Sequence, residues 1–216
     1  MGSKTTIWTG ARLGLVSLIG TTLACASAGE RIAEYVGHPD PKICFAATGT
    51  TSTSTLTAYI RSDLLELSTA GRNFSSCKTH ECVFKKAAEN ECDLAIFVLV
   101  EKFSISRKLS WYDSQVEVQK RKMICANRSL TWTGRGDGLF RVYDPVADRE
   151  ISAGSLYGVD SSVQVDGGYY RASNGELTSS VCSRGSGSTE AKMRPRLYPV
   201  VAAGMIRDIA DSLPEP

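Results

Sequence analysis

The sequence predicts an α/β sandwich: a mixed sheet with an antiparallel meander and helices packed mainly on one face. Three observations carry this. Ile43–Ala47 is a continuous apolar run, followed by a Ser/Thr-rich turn and an amphipathic stretch, the order of a buried strand, loop and helix. Leu94–Val100 is apolar at every position, as a central strand covered on both faces must be. Beyond it, alternating segments broken by Gly- and Asp-rich clusters read as hairpins.

The elements follow in order. Ile32, Tyr35 and Val36 make a short helical turn, and Gly37-His38-Pro39-Asp40-Pro41 stops regular structure. After the strand at Ile43–Ala47, Leu56, Tyr59, Ile60, Leu64 and Leu67 recur at helical spacing over 55–68, and Gly71 suits the end of that helix. A second helix begins between Cys77 and Glu81, with Val83, Phe84, Ala87 and Ala88 on one face. The central strand spans 93–106. Trp111-Tyr112-Asp113-Ser114 then reads as a turn, Val116 to Trp132 as a long alternating strand, and Gly134-Arg135-Gly136-Asp137-Gly138 as another turn. Strands at Leu139–Tyr143 and Ile151–Tyr157 flank a turn opened by Asp144-Pro145. Val201, Met205, Ile209 and Leu213 mark a last helix over 198–213.

The amino-terminus reads as a targeting segment. Lys4 and Arg12 precede an apolar run, Leu13 to Ala24, with no acidic residue before it. At 12 residues the run is too short for a bilayer, which needs about 20. Two processing routes compete. Ala26-Ser27-Ala28 fits cleavage before Gly29, and Leu23-Ala24-Cys25 resembles a bacterial lipobox that would place a lipid on Cys25. The expected layout is a signal sequence at 1–28, a linker at 29–41 and a single α/β domain at 42–213, with a Gly/Ser-rich loop at about 161–190.

Either route takes Cys25 out of pairing. Cys44, Cys77, Cys82, Cys92, Cys125 and Cys182 remain, an even set that suggests up to three disulfides in an oxidising compartment. Cys77 and Cys82 are near enough to bridge locally. A Cys125–Cys182 bridge would tie the Gly/Ser-rich loop to the core.

Several short motifs have plainer readings beside them. Gly49-Thr50-Thr51-Ser52-Thr53-Ser54 lies where a phosphate loop would, but it lacks the Walker Lys and the dinucleotide glycines, so a helix cap at Ser54 or Thr55 is expected. Cys77, His80, Cys82 and Cys92 are zinc-ligand types at a spacing that no usual zinc site has. Arg135-Gly136-Asp137 spells an adhesion tripeptide within good turn chemistry. Asn73-Phe74-Ser75 and Asn127-Arg128-Ser129 are glycosylation sequons, relevant only to a eukaryotic secretory route. His38 and His80 are the only histidines, and neither ends a core strand beside a nucleophile. A net charge of +2 gives no reason to expect nucleic acid, and Lys120, Arg121 and Lys122 read as a solvated edge.

Glu91-Cys92-Asp93-Leu94-Ala95-Ile96-Phe97-Val98-Leu99-Val100 is similar to a short helix feeding a central strand, and Phe140–Ile151 looks like a hairpin of the form "v-v-D-x-x-t-G-e-v". With the strand, Ser/Thr loop and helix after the export signal, these stretches resemble the periplasmic α/β domains of bacterial envelope proteins. These are the TolB amino-terminal domain, the curli secretion lipoprotein and the lipoprotein activators of penicillin-binding proteins. The likeness covers 42–160 and, loosely, the last helix. Glu101 stands where those families often have Gly-containing sequence, Asp148-Arg149 replaces their Thr-Gly, and six mature cysteines are unusual among them. The resemblance implies a fold and a compartment, and no functional residue.

The expected function is that of an exported, non-enzymatic cell-envelope protein, in the periplasm or at the outer membrane. It would act by docking to a protein partner or by self-assembly, with membrane contact only through a lipid on Cys25. A secreted, disulfide-bonded binding module or effector is the alternative, and a small exported hydrolase comes third. No cofactor or catalytic set is expected.

Overall fold

A computed structural model describes residues 28–118, 121–171, 177–178 and 190–215. Residues 1–27 of the expected signal sequence, with Cys25, as well as Lys120, Cys182 and about half of the expected 161–190 loop, lie outside the described residues.

The expected mixed sheet with a meander is present. Six strands lie in the order β2-β1-β3-β4-β5-β6. The strands are β1 (Ile43–Gly49), β2 (Arg72–Asn73), β3 (Leu94–Val118), β4 (Arg121–Asp144), β5 (Arg149–Arg171) and β6 (Leu177–Thr178). β1 runs parallel to β2 and β3, and β3 through β6 are antiparallel neighbours. The helices are α1 (28–36), α2 (Ser54–Glu66), α3 (His80–Glu89) and α4 (Glu190–Asp211).

The alternation of β1 and β3 explains why both are buried twice over. Ile43, Phe45, Leu94, Ile96, Val98 and Val100 pack against α2 and α4. Cys44, Ala46, Ala95 and Phe97 point the other way, onto Val83 and Ala87 of α3. Residues 29–41, expected as a linker, begin as α1, and Ile32 is buried in the main core.

The meander departs most from expectation. β3, β4 and β5 run for 25, 24 and 23 residues, so each spans roughly 80 Å at the usual rise per residue. Trp111–Ser114 and Gly134–Gly138, both read as turns, lie inside β3 and β4. The glycines explain the second misreading. Gly134, Gly136 and Gly138 recur every second residue, so they line one face, and α4 lies directly on them. A Cβ at Gly136 would stand 2.8 Å from Val201 and 2.9 Å from Met205. A Cβ at Gly158 of β5 would stand 2.2 Å from the Val201 carbonyl oxygen. This stripe of missing side chains lets the helix backbone approach the sheet.

Three smaller differences remain. β2 is a two-residue strand, Arg-Asn, with no apolar run to announce it. α4 starts at Glu190 rather than near Tyr198 and passes through Pro195 and Pro199. Met193 and Leu197 extend its buried stripe onto Leu130 and Trp132, and that packing offsets the N–H groups that the prolines lack. Part of the expected Gly/Ser loop is strand as well, since β5 continues to Arg171.

Candidate interaction surface

The helices cover only the first part of β3 and β5 and the last part of β4. Past the β-bulge between Val100 and Lys102, the residues of β3 that face the helices change from even to odd numbers. Phe103 and Ile105 then lie under α4, with Phe103 against Tyr198 at 4.6 Å between ring centres. Farther along the same face, Leu109 pairs with Leu130 and Gln115 with Ile124. Leu109, Trp111 and Ile124 are 49%, 57% and 49% exposed. Among the described residues, no helix packs on the opposite face beyond α3. There Tyr112, Leu139, Tyr157 and Val159 are exposed, interspersed with Lys102, Ser104 and Lys108. A three-stranded ribbon with apolar groups exposed on both faces therefore projects beyond the helices.

The strand edges are treated differently in different places. β2 pairs with β1 only at Cys44 and Phe45, and farther up Arg61 closes that edge, with Nε and Nη2 donating to the Ala47 carbonyl at 2.9 and 2.5 Å. Thr53 Oγ1 donates to the Val100 carbonyl at 3.2 Å, where β1 ends. On β5, the Tyr157 N–H donates to Asp208 of α4 at 2.9 Å, and β6 pairs at Tyr170 and Arg171. Among the described residues, no strand pairs with the outer edge of β3 from Lys102 to Val118. Unpaired edges of this length are normally blunted, because they template pairing with another chain.

At the other end of the body lies an open cleft of about 470 Å³, lined by Tyr35, His38, Asp93, Asp144 and Arg149 among others. His38 Nε2 stands 3.2 Å from Asp93 Oδ2, which also accepts the Lys42 N–H at 2.7 Å. Asp144 is occupied locally, accepting the N–H groups of Val146 and Ala147 at 2.9 Å each to shape the β4–β5 turn. No Ser, Thr or Cys is among the described residues that line the cleft. His38 is thus drawn into the body, but without a nucleophile beside it.

Cys77 is bonded to Cys82, and Cys44 to Cys92. Cys125 is disulfide-bonded too, to a partner outside the described residues. The zinc-type quartet is therefore consumed by two bridges, and His80 packs edge-on to Phe84. In the Ser/Thr loop, Thr53 and Thr57 turn their hydroxyls onto nearby carbonyls, and neither Ser54 nor Thr55 caps α2, whose N-cap is Thr53 without a side-chain bond. The adhesion triplet lies in mid-strand, with Arg135 bonded to Asp137 at 2.7 Å and stacked over Tyr157. Asn73 sits in β2 with its amide oxygen buried, and Asn127 lies within β4. Among the described residues, no group of three or more His, Cys, Asp or Glu could hold a metal ion. None of their helices is long and apolar enough to cross a membrane.

No family model matches the sequence, and no curated protein matches it. Solved structures similar in part include a Helicobacter pylori protein described as a homolog of neuraminyllactose-binding hemagglutinin. It is 10% identical with a TM-score of 0.42, over 82% of this chain and 89% of that one. A minor lipoprotein of Acinetobacter baumannii is 12% identical with a TM-score of 0.33, over 80% and 97%. Rare lipoprotein B of Shewanella oneidensis is 12% identical with a TM-score of 0.31, over 78% and 88%.

The sequence reading missed the ribbon as a surface. Part of its signal was available: Leu130, Trp132, Phe140 and Val142 keep one phase across Gly134–Gly138, which a true turn would interrupt.

Proposed function

We propose that this is an exported, non-enzymatic cell-envelope protein that acts by protein–protein docking or self-assembly through the β3–β5 ribbon. The observation that carries the reading is the projecting ribbon, with exposed Leu109, Trp111, Tyr112 and Ile124 and an outer edge of β3 that no described strand pairs beyond Val100. The export-type amino-terminus and the disulfides support the compartment. A soluble monomer rarely keeps such apolar groups exposed without a use for them.

The test joins processing to location. Intact mass of the mature chain from its native host is expected to show a lipid on Cys25 or a free amine at Gly29, with the protein in the envelope fraction. A photo-reactive residue at Lys108 is expected to cross-link there to another polypeptide. Protein found only in the medium with a free Gly29 would favour the secreted module or effector, which the Ala26-Ser27-Ala28 site supports. An uncleaved cytosolic chain would end both readings.

A further inference from the structure

We propose that the outer edge of β3 is a homodimer interface, in which two copies pair their β3 strands antiparallel about a two-fold axis at Ser110. The inference rests on the docking reading above and names the partner as a second copy of this chain.

The position of the axis follows from the free edge itself. β1 stops pairing at Gly49 with Val100, and the bulge follows. From Lys102 to Val118 no described strand pairs with this edge, and Ser110 is the midpoint of that stretch. A two-fold axis there sets Lys102 of one copy against Val118 of the other. Each partner strand ends beside Gly49, the last residue of β1, so the edge is filled once along its length.

The same axis sets complementary residues opposite one another. Arg107 faces Asp113, Leu109 faces Trp111 and Lys108 faces Tyr112, each pair occurring twice by symmetry. Directly opposite residues of antiparallel strands share a face, and opposite charges and aromatic–aliphatic pairs at such positions are favourable. All six side chains are exposed in the single chain. Moving the axis one residue either way sets Arg107 against Trp111 or Gln115 and breaks both ion pairs. The β1 edge is less open to a second copy, since Arg61 and β2 close it, and the β5 edge is interrupted by Asp208 at Tyr157 and by β6 at Tyr170 and Arg171.

The test uses the mature, disulfide-bonded chain. Sedimentation equilibrium is expected to show a dimer. Arg107→Asp and Asp113→Arg should each weaken it about tenfold, because like charges then oppose one another twice, and the double exchange should restore it. Ser110→Cys should form a covalent dimer on oxidation, since directly opposite Cβ atoms lie within disulfide reach, whereas Ser104→Cys should not. Circular dichroism checks that each variant folds, and the Ser110→Cys arm stands even where a charge variant does not. A chain that stays monomeric up to its solubility limit overturns the proposal. So does a dimer that the double exchange fails to restore, or one that joins as readily through Ser104→Cys. A monomer in vitro whose Lys108 position still cross-links to a different polypeptide in the envelope overturns this inference alone. If that position meets nothing, the docking reading falls with it.

Discussion

Asp63 sits part-buried on α2, and that burial, with the neighbouring Glu66, pushes its carboxyl up to about 6 from 3.8. The folded chain then binds this proton more tightly than the unfolded chain does, so stability falls as pH rises from about 4 through about 6. Asp63→Asn should remove that slope and stabilise the protein at neutral pH by on the order of 1 kcal/mol, after allowance for solvent screening. Urea midpoints of both proteins at pH 4, 5, 6 and 7 would check it, and parallel curves would refute the assignment. Nothing in the residue order around Asp63 announces this, because burial on one side of a helix depends on what packs there. The cysteines divide in the same way. Cys77 and Cys82 are neighbours in the chain, so their bond is readable from spacing. Cys44 and Cys92 meet only because β1 and β3 lie side by side with Ile43 opposite Leu94.

The helix α4 and the glycine stripe beneath it form one packing unit. Met193, Leu197, Val201, Met205 and Ile209 recur every four residues and are all buried. The C-terminal half of this stripe was legible as periodicity. Its start was hidden by Pro195 and Pro199, which ordinarily break helices. Likewise, Gly134, Gly136 and Gly138 carry turn chemistry in the sequence and acquire another meaning only under a helix. Gly158→Ala tests this at the tightest approach. The new Cβ would meet helix backbone at 2.2 Å, so α4 must move. A loss of about 2–4 kcal/mol is expected, measured as a shift in the urea midpoint. Gly154→Ala meets only the edge of the Phe140 ring, at 3.0 Å, and should cost less. Equal costs would show that the stripe does not set the helix position.

At the scale of the molecule, the two mapped disulfides do different amounts of work. Cys44–Cys92 closes a separation of 48 residues and Cys77–Cys82 one of 5. Chain entropy assigns about 4 kcal/mol to the first and about 2 kcal/mol to the second. Paired Cys→Ala variants, compared by urea unfolding, should rank in that order, and reduction of the wild-type chain should cost more than either pair alone. If neither pair matters, the disulfides lose their weight as support for an oxidising compartment.

Composition and periodicity alone determined the α/β class, the doubly buried strand at Leu94–Val100, the two helices that flank it and the late amphipathic stripe. These are local or short-period properties, recorded in which residues follow which. Strand length, the reach of the ribbon, the Cys44–Cys92 bond and the open edge of β3 were decided only in three dimensions. Each depends on what lies opposite a residue in space: a helix over glycines, a strand beside a strand, or, among the described residues, no strand at all.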